Sequence, residues 1–333
     1  MDKLKRFNVG KIFLIFGIIF LAIVAMAFSI SSGSVKFSPA EIYEGFFCDK
    51  NTSAGLFIWN VRLPRTLGAA MVGVCLSLAG CLLQGVMRND MASPSTIGVT
   101  SGASFVAYTT LVFHPEFSHY FPMAAILGAF ITTMIIYVIS YDKGILPLTM
   151  ILSGMAVSSI FGAFSDVIKS FFADHLHNVV GFLVGSFNGV SWEHLKLIAP
   201  YAFAGIISCL FLPSKLNILL LGDEMSNSLG LHTERFRFIL IVISSLLSGA
   251  AIATAGLINF VGLIVPHLAR LLVGSDYRYL MPASIGIGVL LVVVSDVVGR
   301  TVLPVGEVSA SVLISFMGAL FFLYLLRRKK RRV

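Results

Sequence analysis

The run TLGAAMVGVCLSLAGCLLQGVM, residues 66–87, contains no charged side chain. A bilayer core of about 30 Å requires about 20 apolar helical residues for one crossing. Backbone polar groups in that core must find hydrogen-bond partners within the protein, which leaves helices and closed barrels as the spanning structures. The run is too long for a barrel strand, and we therefore predict that it is a transmembrane helix.

Nine further stretches of mostly apolar residues extend this interpretation over the whole chain. The 333 residues are 57% hydrophobic and only 12% charged, whereas about a quarter of the residues in soluble domains are charged. We predict one all-α membrane domain over residues 1–333 with about ten transmembrane helices. The predicted spans are residues 12–30, 66–87, 95–113, 121–141, 148–172, 195–212, 238–258, 260–274, 280–299 and 305–326.

The positions of the 24 Lys and Arg predict the orientation of the chain. With a cytoplasmic N-terminus, most of them fall in cytoplasmic segments, including the basic tail 327–333. The positive-inside rule then favours two cytoplasmic termini and an even number of spans. Basic flanks at the membrane surface account for the net charge of +8, so we expect contact with membrane lipid and no nucleic-acid partner. The first thirty residues resemble a secretory signal, but their length favours an uncleaved span.

Small residues recur every four positions along the second predicted span, at Ala69, Gly73, Ser77 and Cys81. Helices in lipid associate through close approach of their backbones, which small side chains permit. The pattern indicates tight packing inside one helix bundle, with a seam between subunits as the alternative.

A weak internal repeat relates the second and third predicted spans to the seventh and eighth. Gly73, Gly80 and Gly98 are each matched by a later glycine at one constant offset, beginning with Gly249. Two halves separated by an odd number of spans have opposite topology, which is usual in transporters built from inverted repeats. The repeat is a weak indication of such a transporter.

Three arginines stand at the predicted outer ends of spans. Arg62 and Arg65 flank Pro64 just before the second span, and Arg300 ends the ninth. Arginine binds carboxylates through two parallel hydrogen bonds. An anchor at the membrane surface is the simpler interpretation for any one of them, and Asp296 can pair with Arg300 across one helical turn. Three arginines on a face otherwise poor in basic residues indicate an acidic partner or ligand outside.

The polar segment LLLGDEMSNSLGLHTER, residues 219–235, separates the sixth predicted span from the seventh. Two adjacent acids, Asp223 and Glu224, suit the positive N-terminal end of a short helix. Gly222 interrupts the chain before that helix, and Gly230 suits its end. We therefore predict a short helix on the cytoplasmic side of the membrane.

Apolar residues are interspersed in the same polar segment, at Leu221, Met225 and Leu229. An idle linker is one interpretation of the segment. Its mixed charge and apolar residues instead favour a knob that inserts into the groove of a cytoplasmic protein. Thr233 is the expected N-cap of the seventh span.

The sequence carries no motif for catalysis. It lacks G-x-x-x-x-G-K-[ST], so any ATP must be hydrolysed by another chain. It also lacks H-E-x-x-H, G-x-S-x-G and C-x-x-C, and its four cysteines form no metal-binding or disulfide pattern. We expect no enzyme activity in this chain and no cofactor or metal bound by it.

Two other classes of membrane protein remain as alternatives. An ion-coupled secondary transporter is expected to carry paired acids near the midplane. Asp166 is a loose candidate for such an acid, but Lys169 lies three residues further on and can pair with it. An intramembrane enzyme would need converging acids, histidines or a metal motif, and none is present in the sequence.

Four ordered motifs resemble the permeases of the FecCD and BtuC type, and together they cover essentially the whole chain. The motifs are RLPRTLGAAMVGVCLSLAGCLLQGVMRNDMASPSTIGVTSGAS at 62–104, LLLGDEMSNSLGL at 219–231, GLINFVGLIVPHLARLLVGSDYRYLMP at 256–282 and LPVGEVSASVLISFMGALFFLYLL at 303–326. The resemblance implies a BtuC-like, ten-helix permease of a type II ABC importer in the bacterial cytoplasmic (inner) membrane. Such permeases import iron-siderophore, haem or cobalamin, and we expect a ferric siderophore.

The resemblance also implies three partners. They are an ABC ATP-binding subunit that uses ATP and Mg, an extracytoplasmic solute-binding protein, which can be a lipoprotein, and a second permease, either another copy or a sister subunit. Glutamates of the binding protein would dock on Arg62, Arg65 and Arg300, and the ATPase would contact coupling helices within 213–236. The matching coupling positions are Leu221, Gly222, Asp223, Glu224, Ser228, Leu229 and Gly230.

The last motif departs from the usual family pattern. Val302 stands where many members have an acid before L/I-P-V-G, and an acid is found instead at Glu307. Leu320 replaces the proline of G-A-P-F-F. Since the resemblance implies a path between two subunits that is lined partly by the fifth and tenth spans, these changes affect the expected lining of that path.

Overall fold

The computed structural model describes residues 8–33, 35, 37–114, 116, 120–142, 144, 146–172, 180–303 and 306–330. Within these residues the regular structure is helical. Part of the basic tail, residues 331–333, lies outside the described residues. The helices are α1 (Val9–Ser31), α2 (Pro39–Tyr43), α3 (Ser53–Phe57), α4 (Leu63–Met87), α5 (Val99–Phe113), α6 (Phe121–Ser140), α7 (Pro147–Phe171), α8 (Val180–Val184), α9 (Trp192–Phe211), α10 (Pro213–Leu219), α11 (Asp223–Ser228), α12 (Thr233–Ala255), α13 (Val261–Val273), α14 (Tyr277–Thr301) and α15 (Ala310–Lys330), with π-helical turns at Glu44–Cys48 and Ile58–Arg62.

Each of the ten predicted spans corresponds to one helix of the described part of the chain. Seven helical segments there are long and apolar enough to cross a membrane, whereas α5, α13 and the apolar part of α15 are shorter. The predicted start of the third span at residue 95 is wrong, because Gly98 adopts a left-handed conformation with φ 87° and α5 begins after it. The last helix likewise begins at Ala310, after the predicted residue 305.

Helix α4 lies at the centre of the bundle. In its most apolar stretch of 18 residues, 89% of the residues are buried. The helix packs against α9, α12, α13 and α14. A methyl group on Gly73 would lie 2.5 Å from the carbonyl oxygen of Gly288, and one on Gly80 would clash with the carbonyl of Gly262. The small residues therefore bring backbones together inside one chain, and the prediction of tight packing within the bundle is confirmed.

The glycines of the weak repeat lie in partly equivalent places. Gly73 and Gly249 both lie within a helix and close to a neighbouring helix. Gly80 also lies within α4, but Gly256 follows the end of α12 with φ 71°. The constant offset thus stays a weak indication of an inverted repeat.

Other helices leave wide faces uncovered. In the most apolar stretch of each helix, the share of residues that are buried is 17% in α7, 22% in α1 and 28% in α9. Exposed apolar side chains on these helices suit lipid or a second membrane subunit. Asp166 of α7 lies 2.9 Å from Lys169, which confirms the predicted pairing of these two charges.

Candidate functional site

The three predicted outer arginines converge at one end of the bundle. Arg62 ends a π-helical turn, Arg65 lies in the first turn of α4, and Arg300 lies in the last turn of α14. Because α4 and α14 pack together along the bundle, the three side chains and Glu307 line one cavity of about 230 Å³. We call these four residues, with Asp296, the arginine cluster.

Arg65 holds two carboxylates at once. It donates from Nε and Nη2 to Asp296 at 3.0 and 2.8 Å. It also donates from Nη1 and Nη2 to Glu307 at 3.2 and 2.9 Å. The Asp296 side chain is 2% exposed and that of Glu307 is 29% exposed. Charge-assisted, forked contacts of this kind are among the stronger hydrogen bonds in proteins.

Arg300 joins the same buried acid to α1. Its Nε lies 3.4 Å from Oδ2 of Asp296, which confirms the predicted pair across one turn of α14. Its Nη2 donates to the carbonyl and hydroxyl oxygens of Ser29 at 2.8 and 2.6 Å. Asp296 therefore lies between two guanidiniums from different helices.

Arg62 is bound by carbonyl oxygens. Its Nη1 donates to Ile30 and Ser31 at the end of α1, each at 2.9 Å, and its Nη2 donates to Val35. The guanidinium also lies 5.4 Å from the ring centroid of Phe57, within the range of a cation–π contact. These contacts hold the C-terminal end of α1 against the start of α4.

The burial of this cluster differs from the simpler sequence interpretation. Arg62, Arg65 and Arg300 are only 2%, 8% and 4% exposed, so none of them is an anchor that reaches out to the membrane surface. Nε of Arg62 and Nε of Arg300 have no hydrogen-bond acceptor in the part of the chain that the structure describes. The cluster carries three positive and two negative side chains, so its net charge is positive.

The predicted short helix forms at the opposite end of α4. It is α11, which begins directly after Gly222 (φ 106°) and is followed by Gly230 (φ 82°). Both glycines adopt backbone conformations that other residues disfavour, as expected for positions that punctuate a helix. We call residues 213–232, which contain α10 and α11, the connector.

The apolar residues of the connector are exposed, as the knob prediction requires. Leu221, Met225 and Leu229 are 59%, 56% and 57% exposed. Ser226, on the other side of α11, is buried and donates its hydroxyl to the carbonyl of Ile218 at 2.8 Å. The connector therefore has an inner polar attachment and an outer apolar surface, which is typical of a protein contact site.

Charged contacts hold the connector to the main helices. Asp223 pairs with Arg88, the residue that follows α4 as its C-cap, and with Arg237 of α12 at 2.6 Å. Arg237 is 2% exposed and also pairs with Glu234 at 2.8 Å. Arg88 further donates to the carbonyl of Leu219 at 3.2 Å. One acid thus joins α11 to both α4 and α12.

A second attachment links the connector to α14. Asn217 of α10 donates to Asp276 at 2.7 Å and accepts from the backbone N–H of Tyr277 at 3.0 Å. Partial burial raises the pKa of Asp276, but hydrogen bonds from the backbone N–H of Arg278 and from Asn217 outweigh it, so the pKa lies below its ordinary value. Sequence reasoning missed this contact, because Asn217 and Asp276 lie 59 positions apart and their spacing does not show that they meet.

The prediction for Thr233 is wrong by one residue. His232 occupies the N-cap position of α12 and makes no side-chain capping bond, while Thr233 is the first helical residue. The Thr233 hydroxyl instead contacts Oδ1 of Asn227 at 3.1 Å. It closes the turn between α11 and α12, and this contact takes the place of the expected cap.

The comparisons with known proteins agree with this arrangement. A family model described as the FecCD transport family matches residues 21–328. The chain belongs to the FecCD transport family. FecCD members are transport permeases, and the apolar helices together with this membership define a multi-pass protein of the cytoplasmic membrane.

Two relatives of this FecCD protein come from Bacillus subtilis (strain 168). The Fe(3+)-citrate import system permease protein YfmE is 34% identical over 334 residues, which covers 100% of each chain. The iron(3+)-hydroxamate import system permease protein FhuB is 34% identical over 328 residues, which covers 96% of this chain and 84% of FhuB.

A solved structure also resembles this FecCD protein over nearly its whole length. It is described as an inward-facing conformation of a transporter assigned to the metal-chelate type of ABC transporters. The two share 30% sequence identity with a TM-score of 0.83, and the match covers 95% of this chain and 99% of that one. The predicted family and its BtuC-like, all-α fold are confirmed.

Proposed function

We propose that this FecCD protein is the permease subunit of a binding-protein-dependent ABC importer that carries a ferric siderophore across the cytoplasmic membrane. The observation that carries the proposal is the connector, which exposes three apolar side chains while Asp223 holds it to the end of α4. An exposed apolar surface that is attached to the main helices suits contact with a partner protein whose movement must reach those helices.

The cargo is inferred from the relatives. One is named for ferric citrate and another for ferric hydroxamate, so an iron chelate is the shared chemistry. Within that class we favour a siderophore. Haem and cobalamin are the alternatives, because they are cargoes of the same permease family.

The energy for transport comes from a partner in this proposal. The permease supplies no nucleotide-binding motif, so ATP and Mg belong to an ABC ATP-binding subunit on the cytoplasmic side. That subunit would contact Leu221, Met225 and Leu229, and its closure would move the connector. The contacts of Asp223 and Asn217 would pass that movement to α4, α12 and α14.

The opposite end is proposed to receive the solute-binding protein. Glutamates of that protein would approach Arg62, Arg65 and Arg300 through the cavity that these side chains line. With the connector in the cytoplasm, the arginine cluster faces outside and both termini are cytoplasmic. A second permease, either another copy or a sister subunit, would cover exposed faces such as that of α7 and complete the path.

A secondary transporter is the competing function from another class. Its expected feature is an acid available for ion coupling. Asp166 of α7 is paired with Lys169 at 2.9 Å, and Asp296 is held between two arginines. These pairs make the ATP-driven importer the better explanation of the charged groups described here.

Co-purification of a tagged permease in mild detergent tests the proposal. We expect an ABC ATPase to remain bound to the wild-type protein and to be lost from Met225→Asp, because the new charge would be desolvated in an apolar groove. The matched control is Met91→Asp, which makes the same substitution at an exposed methionine outside the connector, in the segment that follows α4. Equal recovery of the ATPase by Met225→Asp would exclude the connector as its binding surface.

A further inference from the structure

The arginine cluster already contains the kind of group that docking would bring to it. Arg65 is held on its inner side by Asp296 and on its more exposed side by Glu307. An incoming carboxylate must approach from the side where Glu307 stands. We propose that Glu307 is a built-in competitor, which occupies Arg65 in the free permease and is displaced by a carboxylate of the binding protein. This inference rests on the proposed docking role of the cluster.

The two acids of the cluster have different attachments. Asp296 accepts from Nε and Nη2 of Arg65 and also lies 3.4 Å from Nε of Arg300. Its removal would leave two buried guanidiniums without their shared partner, which is costly. Glu307 has hydrogen bonds only to Arg65 among the contacts described for its carboxylate. Glu307 is therefore the acid that can leave while the cluster stays intact.

The backbone around Glu307 allows its side chain to turn away. The next residue, Val308, donates its N–H to the carbonyl of Gly299 at 2.8 Å. The hydroxyl of Ser309 donates to the carbonyl of Val184 at 3.0 Å. On the other side, Gly306 has open space around it. The chain after Glu307 is held in place, so rotation of one side chain is enough to uncover Arg65.

The charges of the cluster favour an exchange between carboxylates. Three guanidiniums and two carboxylates leave one net positive charge, and departure of Glu307 leaves two facing the cavity. Arg65 keeps a partner before and after the exchange, so no unpaired charge is buried. Competition by Glu307 would weaken docking and speed release of the binding protein.

Affinity measurements on the complete transporter in lipid nanodiscs test this inference. The probe is the solute-binding protein that co-purifies with the tagged permease, isolated and titrated by itself. Glu307→Gln keeps the size of the side chain and removes its charge, and we expect binding about tenfold tighter, equivalent to about 1.4 kcal/mol. Glu193→Gln is the control, because Glu193 is an exposed acid in the first turn of α9, and it should leave affinity within about twofold.

A third variant separates the competitor from the docking role beneath it. Arg65→Gln should weaken binding with either residue at position 307. If Arg65→Gln weakens binding but Glu307→Gln leaves it equal or weaker, Glu307 is no competitor and docking still stands. If Arg65→Gln leaves binding unchanged, the docking role itself fails. Glu307→Asp, whose side chain is one methylene shorter, is the alternative variant if Glu307→Gln does not fold. We expect it to tighten binding by a smaller factor than Glu307→Gln.

Discussion

The two ends of α4 differ in what they leave uncovered. At one end, Arg65 and its neighbours are charged but buried, and they are paired with each other. At the other end, Leu221 and Met225 are apolar but exposed, while the charged Asp223 lies behind them as an attachment. The exposed end is ready for a partner as it stands. The buried end must exchange one of its own contacts before it can accept another protein.

The largest expected effect comes from breaking the buried end. Asp296→Ala leaves Arg65 and Arg300 without the carboxylate between them, and loss of one partner from a buried ion pair costs about 3–5 kcal/mol. We expect the free energy of unfolding in detergent to fall by that amount, with lower yield of folded protein. Glu44→Gln, at an exposed acid of the same end, should change it little. A loss below about 1 kcal/mol would show that the cluster is not held by this acid.

An intermediate effect is expected at the attachment of the exposed end. Asp223→Ala removes the pairs with Arg88 and Arg237, but Arg237 keeps Glu234. We expect unfolding to become easier by about 1–2 kcal/mol and chelate-stimulated ATPase activity to fall. The neighbouring Glu224→Gln is the stability control and should stay within about 0.5 kcal/mol. Full chelate-stimulated ATPase activity of Asp223→Ala would show that coupling does not require this attachment of the connector.

The smallest effect is expected away from both ends. Asp166 pairs with Lys169 within one turn of α7, so Asp166→Asn removes a contact within one helix and leaves the packing between helices unchanged. Asp166→Asn should leave both the unfolding midpoint and ATP-dependent chelate uptake close to the wild-type values. An ion-coupled transporter would be favoured instead if Asp166→Asn abolished uptake. It would also be favoured if wild-type uptake required an ion gradient and uptake by the variant did not.

The positions of the helices were predictable, and so was the pair of Asp296 with Arg300 one turn away. The contacts of the arginines with distant segments were not. Apolar runs predict spans because the lipid requires them, and only local backbone features such as Gly98 moved their ends. The contacts of Arg65 with Asp296 and Glu307 join residues 231 and 242 positions apart. Neither periodicity nor motif spacing encodes such distant pairs.

The connector shows the opposite balance. Its helix, its two glycines and its exposed apolar residues were all predictable, because they depend on residues within one short segment. What the sequence could not indicate is how the segment is mounted. Arg88 lies 135 positions before Asp223, and Asn217 meets Asp276 across 59 positions. These contacts arise from the packing of α4 and α14, which the segment itself does not contain.

The close glycine contacts of α4 have a practical consequence for spectroscopy. A helix of 25 residues extends about 37 Å, and its backbone touches Gly262 and Gly288 with no space for a side chain. Bending such a helix would require several neighbours to separate together. Spin labels placed near residues 65 and 88 should therefore keep one separation throughout the transport cycle. That pair would serve as a fixed reference for labels on the less buried α7 and α9, where we expect the distances to change during transport.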